Sequence, residues 1–208
     1  GATGYQASEY PQYISDLNHK DSIPFIVSGS IDPYKYLRNK KVRFMKKDYN
    51  QAFIRKTKDS VIAKSKWDFY EKEKIIIAGM TKRVEAIYFH DPIGLGVGIY
   101  GIYEFGDYDK YALLGLLNSK FMTYYVKKKF KDVHLAGGYL AINKNLIQEY
   151  PLPNNPNKDK LKSISELAKK LNLHTNIDDN IMHEIDILVY ELYGLNKKEI
   201  DLINHLTI

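Results

Sequence analysis

The sequence changes character at one proline-rich segment, Pro151-Leu152-Pro153-Asn154-Asn155-Pro156. Residues 1–153 carry a net charge of +8 and 16 of the 18 tyrosines, whereas residues 154–208 carry −2 and the other two tyrosines. Proline restricts its own backbone and that of the residue before it, so such a segment is typical of a connection between structural units. We therefore expect one domain at 1–153 and a C-terminal extension at 154–208.

The first part contains short β-branched and aromatic runs bounded by Gly, Asp or Pro, which predict strands. These runs are 24–29, 60–63, 74–79, 84–89, 96–103 and 138–142. Between 109 and 129, apolar residues at three- and four-residue spacing predict a helix that Asn118-Ser119 could break in two. The predicted fold class is α+β: a strand-rich sheet or barrel domain followed by a helical tail.

The tail has two apolar stripes at helical spacing, which predict two amphipathic helices. The stripes are Leu161, Ile164, Ala168 and Leu171, and then Ile177, Ile181, Ile185, Leu188 and Leu192. Asp178 or Asp179 can cap the second helix, and Asn196 with Glu199 forms a variant capping box for a third. We expect these helices to pack on the first domain or on a partner subunit.

The motifs of several catalytic and cofactor sites are absent. The sequence has no GxxxxGK[ST] phosphate loop, and its glycines between 94 and 101 have the wrong spacing for a dinucleotide loop. It has neither the Pro-Pro pair of an amino-methyltransferase site nor the Asp/Glu-x-Lys half of a common magnesium nuclease site. There is no cysteine, and the six histidines lack zinc-site spacing. We therefore expect no catalysis, metal or cofactor in this chain alone.

Cations interleaved with aromatic residues stand out against a moderately basic background, with a net charge of +6 and a pI of about 9.1. Residues 34–47 hold seven cations and no acid, and 64–67 and 81–83 add more. Cations neutralise phosphates and aromatic rings stack on sugars or unpaired bases, so this pattern favours a nucleic-acid surface. A solvated surface ribbon is the alternative. The longest apolar runs are too short to span a membrane.

Several segments occur in a family-specific order: Gly1-Ala2-Thr3-Gly4 before Tyr10, Gly29-Ser30-Ile31, Lys74-Ile75-Ile76-Ile77, Leu116-Leu117-Asn118-Ser119, Gly138 and Tyr150-Pro151-Leu152-Pro153. In this order the chain resembles TaqI-like C-terminal specificity domains, the target-recognition domains of DNA methyltransferases and restriction-modification enzymes, which are related to halves of type I specificity subunits. The end of the chain, from Glu184-Ile185-Asp186 to Glu199-Ile200, resembles the helical end of that family.

The resemblance implies that this chain reads double-stranded DNA, while a separate methyltransferase or nuclease domain of the parent protein does the chemistry. The methyltransferase domain, and not this chain, would bind S-adenosylmethionine. Because the sequence begins with glycine rather than Met, we expect a fragment of an adenine-type DNA methyltransferase or type II restriction enzyme. Its expected setting is phage defence in the cytoplasm.

On this interpretation, charge and loop position select nine candidate DNA-binding residues. Phosphate contacts are expected from Lys40, Lys41, Arg43, Lys46 and Lys47, and base-edge contacts from Arg43, Lys66, Lys82 or Arg83. The loop 134–139, which ends with Gly137, Gly138 and Tyr139, is expected to approach the DNA backbone or to be an ordinary tight turn. The favoured loop is 80–83, because it joins two predicted strands. Two alternatives remain: a module that binds RNA or single-stranded nucleic acid, and a non-catalytic protein-interaction domain whose charge serves solubility.

Overall fold

The computed structural model describes residues 7–57, 61–129, 136–174 and 176–207. Its strands are β1 (Ile14–Ser15), β2 (Ser22–Ile26), β3 (Ile31–Asp32), β4 (Lys35–Tyr36), β5 (Val42–Phe44), β6 (Lys47–Tyr49), β7 (Phe53–Arg55), β8 (Lys74–Ala78), β9 (Met80–Thr81), β10 (Ala86–Phe89), β11 (Gly94–Leu95), β12 (Ile99–Ile102) and β13 (Leu140–Ala141). Its helices are α1 (Lys64–Glu71), α2 (Lys110–Asn118), α3 (Lys120–Lys129), α4 (Lys144–Gln148), α5 (Lys158–Leu173), α6 (Asp179–Leu192) and α7 (Lys197–Leu206). The predicted α+β class is confirmed.

The strands form two sheets and three short ribbons. One sheet has the order β1-β7-β2-β11, the other has the order β10-β8-β12, and the ribbons are β3-β4, β5-β6 and β9-β13. In the second sheet β8 is antiparallel to both neighbours and is buried along its whole length. Side chains alternate between the two faces of a strand, so Ile75 and Ile77 enter one hydrophobic cluster while Ile76 and Ala78 enter the other. Burial on both faces explains why this strand is continuously apolar after Lys74.

The outer edge of β10 is covered by two asparagine side chains. Ala86 N–H donates to Asn118 Oδ1 at 2.8 Å and Asn118 Nδ2 donates to Ala86 O at 3.0 Å. Two residues along, Tyr88 N–H donates to Asn172 Oδ1 at 3.0 Å and Asn172 Nδ2 donates to Tyr88 O at 3.2 Å. Each amide replaces the backbone of a missing neighbouring strand, so this edge is not open to pairing with another chain.

The C-terminal helices share a core with the strand-rich part. Helix α5 packs closely on α2, where a Cβ on Gly115 would lie 2.4 Å from Ile164 Cγ2. Asp186 of α6 accepts a hydrogen bond of 2.8 Å from Lys120 N–H at the start of α3. Asp178 caps α6, and Asn196 with Glu199 forms the capping box of α7.

Most predicted elements of the first part are present, with three corrections. The prediction of a strand at 60–63 is wrong: residue 60 lies outside the described residues, and 61–63 lead into α1. Trp67 and Tyr70, three residues apart, bury one face of this helix, so a helical period decides the segment. The predicted strand 24–29 ends at Ile26 and gives way to a 3₁₀ turn at Ser28–Ser30. The ribbons between 31 and 49 were not predicted as strands.

The other predicted strands are present within their predicted bounds, as β8, β10, β12 and β13. The predicted break at Asn118-Ser119 separates α2 from α3. The expected motif at 1–4 lies outside the described residues. None of the helices described has the length and apolar character needed to cross a membrane.

Candidate nucleic-acid interface

Four backbone segments meet at Gly79, which directly follows β8. Gly79 N–H donates to Gly98 O at 2.7 Å and lies 3.3 Å from Ser28 Oγ, which itself donates to Gly98 O. On its other side, Gly79 O accepts from Ile142 N–H at 2.8 Å. A Cβ at Gly79 would lie 2.4 Å from Gly98 O, so the close approach requires glycine here. We call this meeting point the Gly79 junction.

The loop 80–83 leaves this junction and carries an exposed cation. Its first two residues form β9, which pairs with β13 through Thr81 opposite Leu140. Lys82 is exposed, and its Nζ lies 5.6 Å from the ring centroid of Tyr139, which is 41% exposed. The structure therefore brings two of the predicted site residues together as a cation–π pair on a paired, well-anchored loop.

Arg83, the next residue, turns inward. It is half-buried, and its Nη2 donates to Asn118 O at 2.9 Å. Beside it, Val84 N–H donates to Thr123 Oγ1 at 3.1 Å. These bonds hold the loop 80–83 against the point where α2 ends and α3 begins. The prediction that Arg83 reads a base edge remains a prediction, and the geometry favours Lys82 for outward contacts.

The five predicted phosphate contacts lie on and before the β5–β6 hairpin. Val42, Phe44 and Tyr49 point into the core, and the Phe44 ring packs 4.9 Å from that of Phe25. The alternation of strand side chains places the cations outside. Exposed cations are Lys40, Lys41, Arg43, Lys46 and Lys47.

The hairpin turn is formed by Met45 and Lys46, with φ angles of 48° and 66°. Positive φ at both central residues is typical of a type I′ turn, which matches the twist of the strands. Neither residue is glycine, so the turn carries backbone strain, which the buried side chains of Val42, Phe44 and Tyr49 must hold. The apex consequently presents an exposed methionine and an exposed lysine at a fixed position.

The charge of this hairpin is largely uncompensated. Arg43 forms an ion pair of 3.7 Å with Asp48, but both side chains are mostly exposed, so the pair is weak. Lys47 Nζ lies 5.3 Å from the ring centroid of Tyr49. Among the described residues, no carboxylate lies within 4.0 Å of Lys40, Lys41 or Lys46. These three cations are available to an external anion.

Residues 34–47, which we call the cationic segment, are joined to the Gly79 junction by hydrogen bonds. Leu37 N–H donates to Ser30 O at 2.9 Å, and Lys40 N–H donates to Leu37 O at 3.0 Å. Ser30 belongs to the same 3₁₀ turn as Ser28, which contacts the junction. The hairpin cations and the loop with Lys82 are thus held by one continuous hydrogen-bonded framework.

An acidic residue, Glu85, lies beside this framework. Burial and the neighbouring Asp32 carboxylate raise the pKa of Glu85 to about 7, while Arg83 and Lys40 partly oppose that rise. At neutral pH the carboxyl group is therefore partly protonated, which reduces the negative charge near the cationic segment.

Lys66 is placed apart from the other candidates. It is half-buried on α1, where desolvation lowers the pKa of its amine. It lines a cleft of about 400 Å³ with Glu9, Tyr10 and Ile62, and none of the other predicted site residues lines this cleft. Of the predicted loop 134–139, residues 134 and 135 lie outside the described residues.

A family match covers the hairpin and, of the Gly79 junction, Gly79, Gly98 and Ile142. Residues 34–152 match the TaqI-like C-terminal specificity domain. The chain belongs to this family. The resemblance seen in the sequence is therefore confirmed, and the cationic hairpin, the loop 80–83 and Tyr139 all lie within the matched specificity domain.

A solved structure has a similar fold: the Type IIL restriction-modification enzyme MmeI, in complex with DNA. The TM-score is 0.53 with 10% sequence identity, and the similarity covers 98% of this chain and 32% of that one. The chain thus spans about a third of the length of that enzyme, and at this identity the likeness concerns the fold. Comparison with curated proteins gives no match.

Proposed function

We propose that this chain reads the sequence of double-stranded DNA as the target-recognition part of a restriction-modification enzyme or adenine-type DNA methyltransferase. The observation that carries the proposal is the exposed Lys82–Tyr139 pair, held on the Gly79 junction and joined by hydrogen bonds to a cationic hairpin. Membership of a specificity-domain family supports it, as does a fold similar to that of a restriction-modification enzyme solved with DNA.

In this proposal the chain has no catalytic activity of its own. The chemistry is performed by a methyltransferase domain, which uses S-adenosylmethionine, or by a nuclease domain of a longer parent protein. This parent acts in phage defence in the cytoplasm as a type II system. Residues 1–153 supply the recognition surface, and residues 154–208 support it through the contact between α5 and α2.

The residues divide into two roles. Lys40, Lys41, Lys46 and Lys47 neutralise phosphates, and Arg43 joins them when DNA phosphate competes with its weak ion pair to Asp48. Lys82 reaches a base edge, where a lysine suits the O6 and N7 acceptors of guanine, and Tyr139 supports its side chain. A rigid loop is needed for base reading, because a mobile one would lose entropy on binding.

The salt dependence of affinity tests the phosphate role. With about six phosphates neutralised, the logarithm of the association constant for a 30-bp duplex falls against the logarithm of salt concentration with a slope of about −5. The variant Lys40→Gln/Lys41→Gln/Arg43→Gln reduces the slope to about −3. Its matched control is Lys162→Gln/Lys169→Gln/Lys170→Gln, which removes three exposed charges from α5 and leaves the slope unchanged. Equal slopes in both triple variants contradict the assignment.

Selection from a random duplex library tests the base-reading role. The variant Lys82→Gln is expected to lose preference at one base position of the selected site, whereas a phosphate-contact variant weakens all sequences alike. Competition with single-stranded DNA and RNA separates duplex recognition from the single-strand alternative. If the chain binds no nucleic acid at low salt, the protein-interaction alternative replaces this proposal.

A further inference from the structure

A second concave surface lies along the other side of the cationic segment. It is a groove of about 950 Å³ between residues 34–40, strand β10 and the end of α5. Its size is within the range of small-molecule sites in proteins. Loop 80–83 and Tyr139 do not line it, so the duplex-reading proposal leaves it unexplained.

Aromatic rings form one part of this groove. The rings of Tyr36 and Phe89 are 5.4 Å apart at an angle of 68°, and both side chains are half-buried. Arg38 Cζ lies 5.6 Å from the centroid of the Tyr36 ring. Partly exposed rings beside a guanidinium group offer a planar, polarisable surface of the kind on which a nucleobase stacks.

The side chains that line the groove carry mostly positive charge, which favours an anionic ligand. Lys35, Arg38 and Lys40 line the groove, and Asp91 is the carboxylate residue that lines it with them. His90 and His174 line it as well and are exposed. A ligand that combines a planar ring with a negative charge complements this lining better than a neutral or cationic one does.

The backbone of the groove argues against a peptide strand as the occupant. The outward N–H and C=O groups of Ala86 and Tyr88 on β10 are already bonded to Asn118 and Asn172. An added strand would need those groups. Recognition in this groove must therefore use side chains.

We propose that this groove binds an unpaired nucleotide, with its base against Tyr36 and Phe89 and its phosphate at Arg38 and Lys40. The nucleotide comes from single-stranded nucleic acid or from a free nucleoside phosphate, since both have the same base and phosphate chemistry. Lys40 also belongs to the proposed duplex-binding surface, so the groove opens beside that surface. The site does not depend on duplex reading.

The test measures binding of fluorescently labelled (dT)₆ and of AMP to the full chain by fluorescence anisotropy and calorimetry. Tyr36→Leu is expected to weaken binding about tenfold or more, because base–aromatic stacking makes a contribution of that size. Arg38→Gln is expected to weaken it severalfold and to reduce its salt dependence by about one phosphate. Tyr103→Leu, at an exposed tyrosine that does not line the groove, is the matched control and leaves binding unchanged.

Each outcome decides a point. Binding of (dT)₆ alone identifies single-stranded nucleic acid as the source, and binding of both ligands identifies the nucleotide itself. If neither ligand binds, or if Tyr36→Leu and Arg38→Gln bind as the wild type does, the proposal is wrong. Should Tyr36→Leu fail to fold by circular dichroism, the exposed Arg38→Gln variant decides. If the full chain binds (dT)₆ but does not bind duplex DNA, the proposed function is refuted and the nucleotide site is supported.

Discussion

Replacing Asn118 by alanine should strongly destabilise the fold, because the Asn118 side chain bonds the backbone groups at the outer edge of β10 that a neighbouring strand would otherwise bond. Its side-chain amide is buried and bonded to both backbone groups of Ala86, at 2.8 and 3.0 Å. The carbonyl of Ala86 keeps a second partner, Tyr34 N–H at 2.8 Å. The N–H of Ala86 loses its asparagine partner in the core. Asn118 also hydrogen-bonds the buried Tyr34 hydroxyl, so the cost falls on this donor and on that hydroxyl.

The size of the effect follows from these contacts. A buried donor without a partner costs about 1–3 kcal/mol. The lost packing of the amide adds about 1 kcal/mol, so we expect Asn118→Ala to lower the free energy of unfolding by about 2–4 kcal/mol. For a chain of this length, that corresponds to a decrease in Tm of about 5–15 °C.

The matched control is Asn172→Ala. Asn172 makes the same pair of bonds to Tyr88, but it is half-buried, so water can replace its amide. We expect a loss below about 1 kcal/mol for this variant. Urea unfolding followed by circular dichroism measures both variants. Equal losses, or a loss below about 1 kcal/mol for Asn118→Ala, would refute the reasoning.

Three further predictions concern residues around the Gly79 junction. Burial raises the pKa of Glu85 from 4.5 to about 7, so the free energy of unfolding should fall as pH rises across that window. Glu85→Gln should therefore stabilise the chain by about 2 kcal/mol at pH 8 and hardly at pH 4, and an equal effect at both pH values in urea unfolding contradicts this. Gly79→Ala places a Cβ 2.4 Å from a carbonyl oxygen and should cost about 1–3 kcal/mol, whereas thermal unfolding should show Gly29→Ala, whose Cβ meets open space, to be nearly neutral. Arg83→Gln should lower Tm, while Lys82→Gln should leave Tm unchanged and weaken DNA binding; the reverse result would exchange their roles.

The sequence predicts those elements that have a strong local signal. The break between α2 and α3 was predicted because Asn118-Ser119 interrupts a helical stripe, and Asp178 and Asn196 are side chains that cap helices on their own. The run 74–79 was predicted as a strand because burial on both faces makes it apolar from Ile75 to Ala78. In these cases the physical cause lies within a few residues of the pattern.

The parts that escaped prediction depend on distant contacts. Arg83 is basic and lies in a loop, which predicts exposure. Its guanidinium instead donates a hydrogen bond to the carbonyl oxygen of Asn118, at the end of α2. The role of Gly79 follows from the position of Gly98, nineteen residues away. Helix α1 was missed because its polar residues outnumber the buried pair Trp67 and Tyr70. Only the folded structure shows these neighbours.

The most direct test of the central claim is the ratio of two affinities of the full chain, measured at one stated salt concentration of 150 mM. The first is for a duplex enriched by selection from a random library, and the second is for a duplex of the same composition in scrambled order. Sequence-specific recognition predicts a ratio on the order of 10³ or more. A ratio near 1 would contradict it, because phosphate contacts alone bind all duplexes equally.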